Sequence, residues 1–332
     1  MTDYSASKKS WKKREIQGNW KSLLAIFITI VLLFAIFNGL IKAFSLKKYL
    51  GESRWDGKSS FATILVTSPP SVFIYQKDPQ RIAILQLSEN YYFETGKRSE
   101  PLKKLSEIVV ESSGEELVRI MSINFGAKIN SFVTFSERID VSSENTEKLF
   151  KSFASPLALV KIFGTRLDGK VENTNITRID LFRLWWQLKS LGVERMKIVN
   201  ISSLGEEIII GDSKKVLGVD DASLHIKISE YLENRKLLED ELKVEVVNAS
   251  GNAASAELAV DFVRSLGLEI VNFESSEEKL EETRILTSSK NSYPALYLAS
   301  LFECDIFGST TEGEIEQIKI ILGKDFADRY FR

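Results

Sequence analysis

Asn248-Ala249-Ser250-Gly251 is the stretch of this chain whose residue types and spacing come nearest to a ligand site. It follows an apolar run, Lys243 to Val247, and precedes an alanine-rich one. That places it at a strand-to-helix turn, where free amides can hold a phosphate or a sugar hydroxyl. The same residues suit a purely structural turn in which Ser250 or Asn252 caps the helix. The full glycine fingerprint of dinucleotide sites is missing. Asn248, Ser250 and Gly251 are therefore candidate binding residues. His225 is the single histidine and Cys304 the single cysteine. No serine or cysteine nucleophile pattern accompanies His225, so a packed helical role is expected of it. Cys304 lies between Glu303 and Asp305, and like charge disfavours its thiolate. One His with one Cys does not supply the convergent ligands of a metal site. Trp185-Trp186 offers a sugar-stacking platform or a core contact; at helical spacing one ring should be buried and the other at the edge.

The elements that must position these residues are readable from periodicity. Phe61 to Thr67 (FATILVT) is a strand, and Ser71 to Gln76 with Arg81 to Leu87 reads as a hairpin around Asp78-Pro79. Leu102 to Val110 and Gly114 to Phe125 carry helix-period apolar residues, with Gly126 placed to end the second. Ile129 to Phe135 alternates as a strand. Asp140 to Asn175 carries only weak signals. Thr174 to Gly192 reads as one amphipathic helix closed by Gly192, and Arg195 to Ser202 and Glu207 to Gly211 as strands. Asp220 or Asp221 caps a helix from Ala222 to about Leu238. Beyond it, strand Lys243 to Val247, helix Ala253 to Leu266, strands Glu269 to Phe273 and Arg284 to Thr287, helix Pro294 to Phe302 and strand Gln317 to Leu322 give β-α-β-β-α-β. The acidic run Glu274 to Glu282 is expected to be a solvated loop.

Leu23 to Ile41 (LLAIFITIVLLFAIFNGLI) has no charge and no proline, and as a helix it matches the ~30 Å hydrocarbon core of a bilayer. Trp20 and Tyr49 flank it as interfacial residues, and Lys8, Lys9, Lys12, Lys13 and Arg14 precede it. A basic N-terminal segment favours the cytoplasm, so the rest of the chain is expected outside the membrane. The apolar core exceeds a signal peptide's ~7–15 residues, which favours a retained anchor over a cleaved leader. The net charge of −2 argues against a nucleic-acid partner. A single cysteine leaves no intrachain disulfide, so the outer part must hold together by burial, for which 44% hydrophobic residues suffice.

Several stretches resemble a known family. Lys243-VEVVNASG, the helix after it, Gly267-LEIVNF and Ile318-KIILGKDF resemble the LytR C-terminal domain, with Asn248, Ser250, Gly251, Gly323, Lys324 and Asp325 fitting its pattern and Ala249 replacing a glycine. SVFIYQKDPQRIAILQL, GEELVRIMSINFGAKINSFVTF and ITRIDLFRLWWQLKSLGVERMKIVNIS resemble the LytR–CpsA–Psr domain of envelope proteins that transfer lipid-linked polymers to peptidoglycan. Asn130 and Phe132 stand where that family has Asp and Tyr. Residues 136–172 show little of it. The resemblance implies an active site of arginines and aspartates, which does not carry over. The first loop is only Thr67-Ser68-Pro69-Pro70-Ser71, and a Ser-Ile-Pro-Arg-Asp motif falls on Gln86-Leu87-Ser88-Glu89-Asn90. A polyprenyl-linked pyrophosphate needs guanidinium groups and a divalent ion held by carboxylates. Glu89 in place of an arginine would repel it.

The expected organisation is a basic tail (1–20), a transmembrane helix (21–44), a linker (45–60), a degenerate mixed-sheet α/β LytR–CpsA–Psr-like domain (61–212), a helical connector (213–242) and a LytR C-terminal domain (243–330). The expected function is a membrane-anchored, extracytoplasmic protein that binds or scaffolds wall glycopolymer, peptidoglycan or envelope proteins. No catalytic residue, metal ligand or cofactor is assigned. The alternative is an active phosphotransferase using Mg²⁺, with arginines such as Arg98, Arg138, Arg166 or Arg178. A regulator acting across the membrane ranks last, because about twenty cytoplasmic residues are too few for a folded domain.

Overall fold

Alternation along Phe61–Val66 (β1), Ser71–Gln76 (β2) and Arg81–Gln86 (β3) sends successive side chains to opposite faces of one sheet, and both faces are buried. The computed structural model describes residues 53, 55–97, 101–137, 139–163, 171–210, 214–239, 242–308 and 317–331. The apolar stretch 23–41, its basic tail and Arg98, Arg138 and Arg166 lie outside the described residues. Among the described residues no helix is long and apolar enough to cross a membrane.

The first sheet is completed by Ser131–Phe135 (β6), Val171–Thr174 (β7) and Met196–Asn200 (β8), in the order β7-β6-β1-β2-β3-β8. β1 runs parallel to β6 and antiparallel to β2; β3 runs parallel to β8. The expected hairpin is present as β2 and β3 in register Ser71 to Gln86. One face carries Ala62, Ile64, Val72, Ile74 and Leu85 against helices Leu105–Glu111 (α1) and Gly114–Phe125 (α2). The other carries Phe61, Tyr75, Ile82 and Ile84 against Ser143–Ala154 (α3) and Arg178–Leu188 (α5), with Leu157–Phe163 (α4) between those two helices in sequence. Tyr92–Glu94 (β4) and Leu102–Lys104 (β5), like Gly205–Ile210 (β9) and Lys214–Val219 (β10), form separate antiparallel pairs.

Three expected helices are corrected. The stretch 102–110 is helical only from Leu105, because Leu102–Lys104 stays extended to pair with β4. The stretch 174–192 is helical only over α5. Thr177 caps it, its hydroxyl accepting from Asp180 N at 3.1 Å and donating to the Asp180 carboxylate at 2.8 Å, so Thr174 to Ile176 stay outside. Its last turn closes with Lys189 N donating to Trp185 O, and Gly192 is extended at φ −78°, ψ 155° instead of ending the helix. In the expected helical connector 213–242, residues 214–219 instead form β10, which pairs with β9. The helix then starts under its Asp220 cap as expected but splits into Asp221–Leu232 (α6) and Arg235–Leu238 (α7). Glu233 leaves helical geometry, and Asn234 N donates instead to Leu266 O in the next module.

The C-terminal module has Lys243–Asn248 (β11), Ala253–Ser265 (α8), Glu269–Ser275 (β12), Arg284–Thr287 (β13), Tyr293–Phe302 (α9), Asp305–Gly308 (β14), Gln317–Leu322 (β15) and Lys324–Tyr330 (α10), with sheet order β12-β11-β15-β13-β14. The expected six elements are there; β14 and α10 are additional. Val244, Val246, Ile285, Ile318 and Ile320 pack with Phe262, Phe302, Phe326 and Tyr330 into one core. Residues 54–332 form one compact unit. Leu224, Ile228 and Tyr231 of α6 belong to the core of the first module, Ile123 of α2 to that of the second. Arg119 donates to Tyr330 O at 2.6 Å, and Lys128 donates to Leu301 O at 3.0 Å and pairs with Glu303 at 2.9 Å.

Candidate functional site

An apolar cavity of about 320 Å³ lies between the first sheet and helices α3, α4 and α5. The sheet supplies Leu65, Phe73, Ile84 and Val133; the helices supply Leu149, Phe150, Phe153, Ile162, Leu181 and Leu184. Lys161 is the one charged group among the described residues that line it. Thr63 also lines it, its buried hydroxyl without a hydrogen-bond partner among the described residues. Close-packed interiors leave few such spaces, because each lining atom without a neighbour forfeits dispersion contacts. A hydrocarbon chain would recover them, at about 0.8 kcal/mol for each methylene removed from water.

Three loops meet where β1 ends, and two of them reach the cavity wall, one through Thr67 and the other through Ile139 and Val141. Ser68 N donates to Ile139 O at 3.1 Å, and Gln86 donates its side-chain amide to Val141 O at 2.6 Å. Thr67 and Ser71 hydroxyls both donate to Pro69 O, which folds the short loop on itself. Ser68 donates its hydroxyl to the Glu89 carboxylate at 3.3 Å, and the Ser68 backbone pairs with Asp140. Glu89 and Asp140 are both exposed. Among the described residues, the solvent side of this end thus presents carboxylates beside hydroxyls. Arg178, a candidate anion ligand, is exposed in the first turn of α5 and does not line the cavity. Among the described residues no three carboxylate, histidine or cysteine groups converge as a metal site.

The Asn248–Gly251 turn brings its three candidate residues together, with their polar groups engaged locally. Asn248 Oδ1 accepts from Ser250 N at 3.1 Å and Ser250 Oγ at 2.7 Å, and Asn248 Nδ2 donates to Asn252 O. Asn252 is the cap of α8, accepting from Ala254 N at 3.0 Å. Gly251 has φ +76°, a conformation that favours glycine. His225 packs over Gly126, with Nδ1 3.9 Å from Asp261 Oδ1. Trp185 is buried and Trp186 is 55% exposed, as helical spacing implied.

A large part of the cavity wall comes from α3, α4 and β7, in the region whose sequence signal is weak. The signal that marks α3 is a capping serine: Ser142 accepts from Asn145 N, ahead of the spaced pair Phe150 and Phe153.

Residues 241–326 match the family described as LytR cell envelope-related transcriptional attenuator. The C-terminal module is a LytR C-terminal domain, as its Asn248 and Gly323-Lys324-Asp325 patterns implied. Solved structures similar to the chain include TagV of Bacillus subtilis, 12% identical over 53% of this chain and 98% of that one, with a TM-score of 0.41. A protein described as a transcriptional regulator from Enterococcus faecalis is 10% identical over 64% of this chain and 90% of that one, TM-score 0.40. TagT of Bacillus subtilis is 9% identical over 53% and 91%, TM-score 0.36. TagT is described elsewhere as a LytR-CPS2A-psr family protein with bound octaprenyl pyrophosphate lipid. No protein of curated function matches the chain.

Proposed function

We propose that this chain is a membrane-anchored, extracytoplasmic cell-envelope protein that holds the hydrocarbon chain of a lipid-linked wall glycopolymer and acts as a binding or scaffolding protein, without transferring the polymer. The observation that carries the reading is the apolar cavity whose exposed end bears Glu89 and Asp140. A long apolar chain gains from the first feature; at the second, no guanidinium among the described residues meets the developing charge of phosphoryl transfer. The uncharged stretch 23–41 supports a tether that keeps the cavity near the outer leaflet, with the N-terminus in the cytoplasm. The LytR C-terminal domain supports a role in the envelope.

The test is detergent-solubilised full-length chain incubated with octaprenyl pyrophosphate, then with a polyprenyl-pyrophosphate-linked glycan, Mg²⁺ and peptidoglycan. The expected result is lipid binding that Leu184→Trp abolishes by filling the cavity, with no polymer transferred. Transfer that depends on Mg²⁺ would overturn the non-catalytic reading in favour of a phosphotransferase.

A further inference from the structure

A pair of further cavities lies where the two modules meet. One, of about 460 Å³, is bounded by the segment before β1, Lys128, Arg183 and α9. The other, of about 380 Å³, is bounded by the β2–β3 turn and by α7. They share Lys58, Ser59, Ser60 and Tyr293, and so form one groove. It sits beside the N-terminal end of β1, whereas Ser68 and Glu89 flank the other end of that strand.

The groove concentrates positive charge that the chain as a whole lacks. Lys58, Lys77, Lys128, Arg183, Arg235 and Lys236 line it against three carboxylates, Asp56, Asp78 and Glu233. The whole chain, by contrast, carries 44 basic and 46 acidic residues. Asp56 is engaged by the backbone amides of Lys58 and Ser59 at 2.8 and 3.0 Å and by the Ser59 hydroxyl at 2.8 Å. Lys128 pairs with Glu303 at 2.9 Å and Arg183 with Asp180 at 3.7 Å. Both also tie the walls together, Lys128 donating to Leu301 O and Arg183 to Trp55 O. Among the described residues the free positive charge therefore lies mainly on the rim. Lys77 donates to Gln187 Oε1 at 2.7 Å. Lys58, Arg235 and Lys236 are exposed on its rim.

The rest of the lining suits sugar. Tyr293 and Tyr297 stand with ring centroids 5.9 Å apart, and Lys236 Nζ lies 4.2 Å from the Tyr293 centroid. Asn234 donates to the Tyr293 hydroxyl at 3.1 Å. Ring faces bind the C–H faces of pyranoses, and serine and asparagine side chains exchange hydrogen bonds with hydroxyls. Ammonium and guanidinium groups meet phosphate or carboxylate oxygens. Burial also pushes both tyrosine pKa values up, so the phenols remain neutral donors.

We propose that this groove between the two modules binds an anionic glycan, a chain of sugars or polyols carrying phosphodiesters. The site is separate from the apolar cavity, and it would serve equally for free polymer and for polymer still attached to lipid.

The experiment titrates full-length chain in detergent with lipid-free, glucosylated poly(glycerol phosphate), with the same polymer on its lipid, with neutral dextran and with inorganic polyphosphate. Both glycan polymers should bind with similar affinity and weaken as salt rises, dextran should not bind, and polyphosphate should bind at least about tenfold more weakly. Charge reversal at Lys58→Glu, Arg235→Glu and Lys236→Glu together should weaken glycan binding by at least about tenfold, while Leu184→Trp leaves it unchanged. Bound polymer should also protect Lys58 and Lys236 of the unmodified chain from acetylation while Lys215 stays reactive. That measurement stands even if the charge-reversed variant misfolds. Equal binding by the variant, dextran or polyphosphate binding as well as the glycan, displacement of the glycan by anionic phospholipid vesicles, or no protection at Lys58 and Lys236 would overturn the proposal.

Discussion

Burial holds the Cys304 thiol protonated, with Asp325 adding to the effect and its pKa pushed up to about 12. Only the thiolate alkylates, so iodoacetamide at pH 8 is expected to modify it on the order of 10³-fold more slowly than a free cysteine. Mass-spectrometric labelling rates check this. Asp261 shows the same physics in a carboxyl group. Partial burial raises its pKa, against the lowering influence of His225 and Arg264. A raised folded-state pKa means that the folded chain holds this proton more tightly. The stability that follows is complete below the unfolded value and lost as pH rises through the folded one. Asp261→Asn is therefore expected to match the wild-type melting temperature below about pH 4 and to exceed it at neutral pH. Asp325 is held by hydrogen bonds from its neighbours. Its carboxylate accepts from Thr283 N at 2.8 Å and Thr283 Oγ1 at 2.7 Å, and Thr283 Oγ1 in turn accepts from Gly323 N at 3.0 Å. The Gly-Lys-Asp pattern thus joins the start of α10 to the loop before β13. Asp325→Ala should cost about 1–3 kcal/mol in denaturant unfolding.

At the scale of the element, the ends of helices decide what is readable. Ser113 caps α2, and Gly126 ends it in left-handed geometry at φ +55°, both local effects that periodicity and a glycine reveal. A Cβ on Gly126 would come within 2.8 Å of His225 Nε2 and 2.9 Å of Asp261 Cβ. Gly126→Ala is expected to destabilise by about 1–3 kcal/mol, from the backbone conformation and the clash together, as read from urea midpoints. β11, α8, β12, β13 and α9 were legible because buried apolar stripes and turn glycines coincide. α5 was longer in the sequence reading because Thr174 to Ile176 continue its apolar spacing, and only the Thr177 cap excludes them. The break at Glu233 was hidden for another reason: Asn234 answers to Leu266, a partner 32 positions later in the chain. The cavity wall was the least legible part of the site. Leu149, Leu157 and Val160 are exposed, so α3 and α4 lack the clean polar face that marks an ordinary surface helix. The Asn248 turn was legible as a turn, since Asn248, Ser250 and Asn252 bond to one another within five residues.

The whole molecule is held across its two modules by contacts that neither contains alone. Arg119 reaches Tyr330 O, Lys128 reaches the end of α9, and Asn234 bonds to both Leu266 O and Tyr293. The wild-type chain is therefore expected to lose both modules in one calorimetric transition. Arg119→Ala with Lys128→Ala should split that transition in two, because the substitutions strip the interface and leave each core intact. A single unsplit transition in the double variant would show that the apolar contacts, among them Ile123 in the second core, suffice for coupling.

The bond from Arg119 to Tyr330 also has a consequence in time. Its partners are 211 positions apart, so α2 lacks one of its fixed neighbours until almost the whole described chain has been synthesised. A chain synthesised from its N-terminus holds Arg119 without Tyr330 until synthesis is nearly finished. At 5–20 residues synthesised per second, that interval is on the order of ten seconds or more. During it the face of the first module later covered by α8, α9 and α10 stays open to any chaperone within reach.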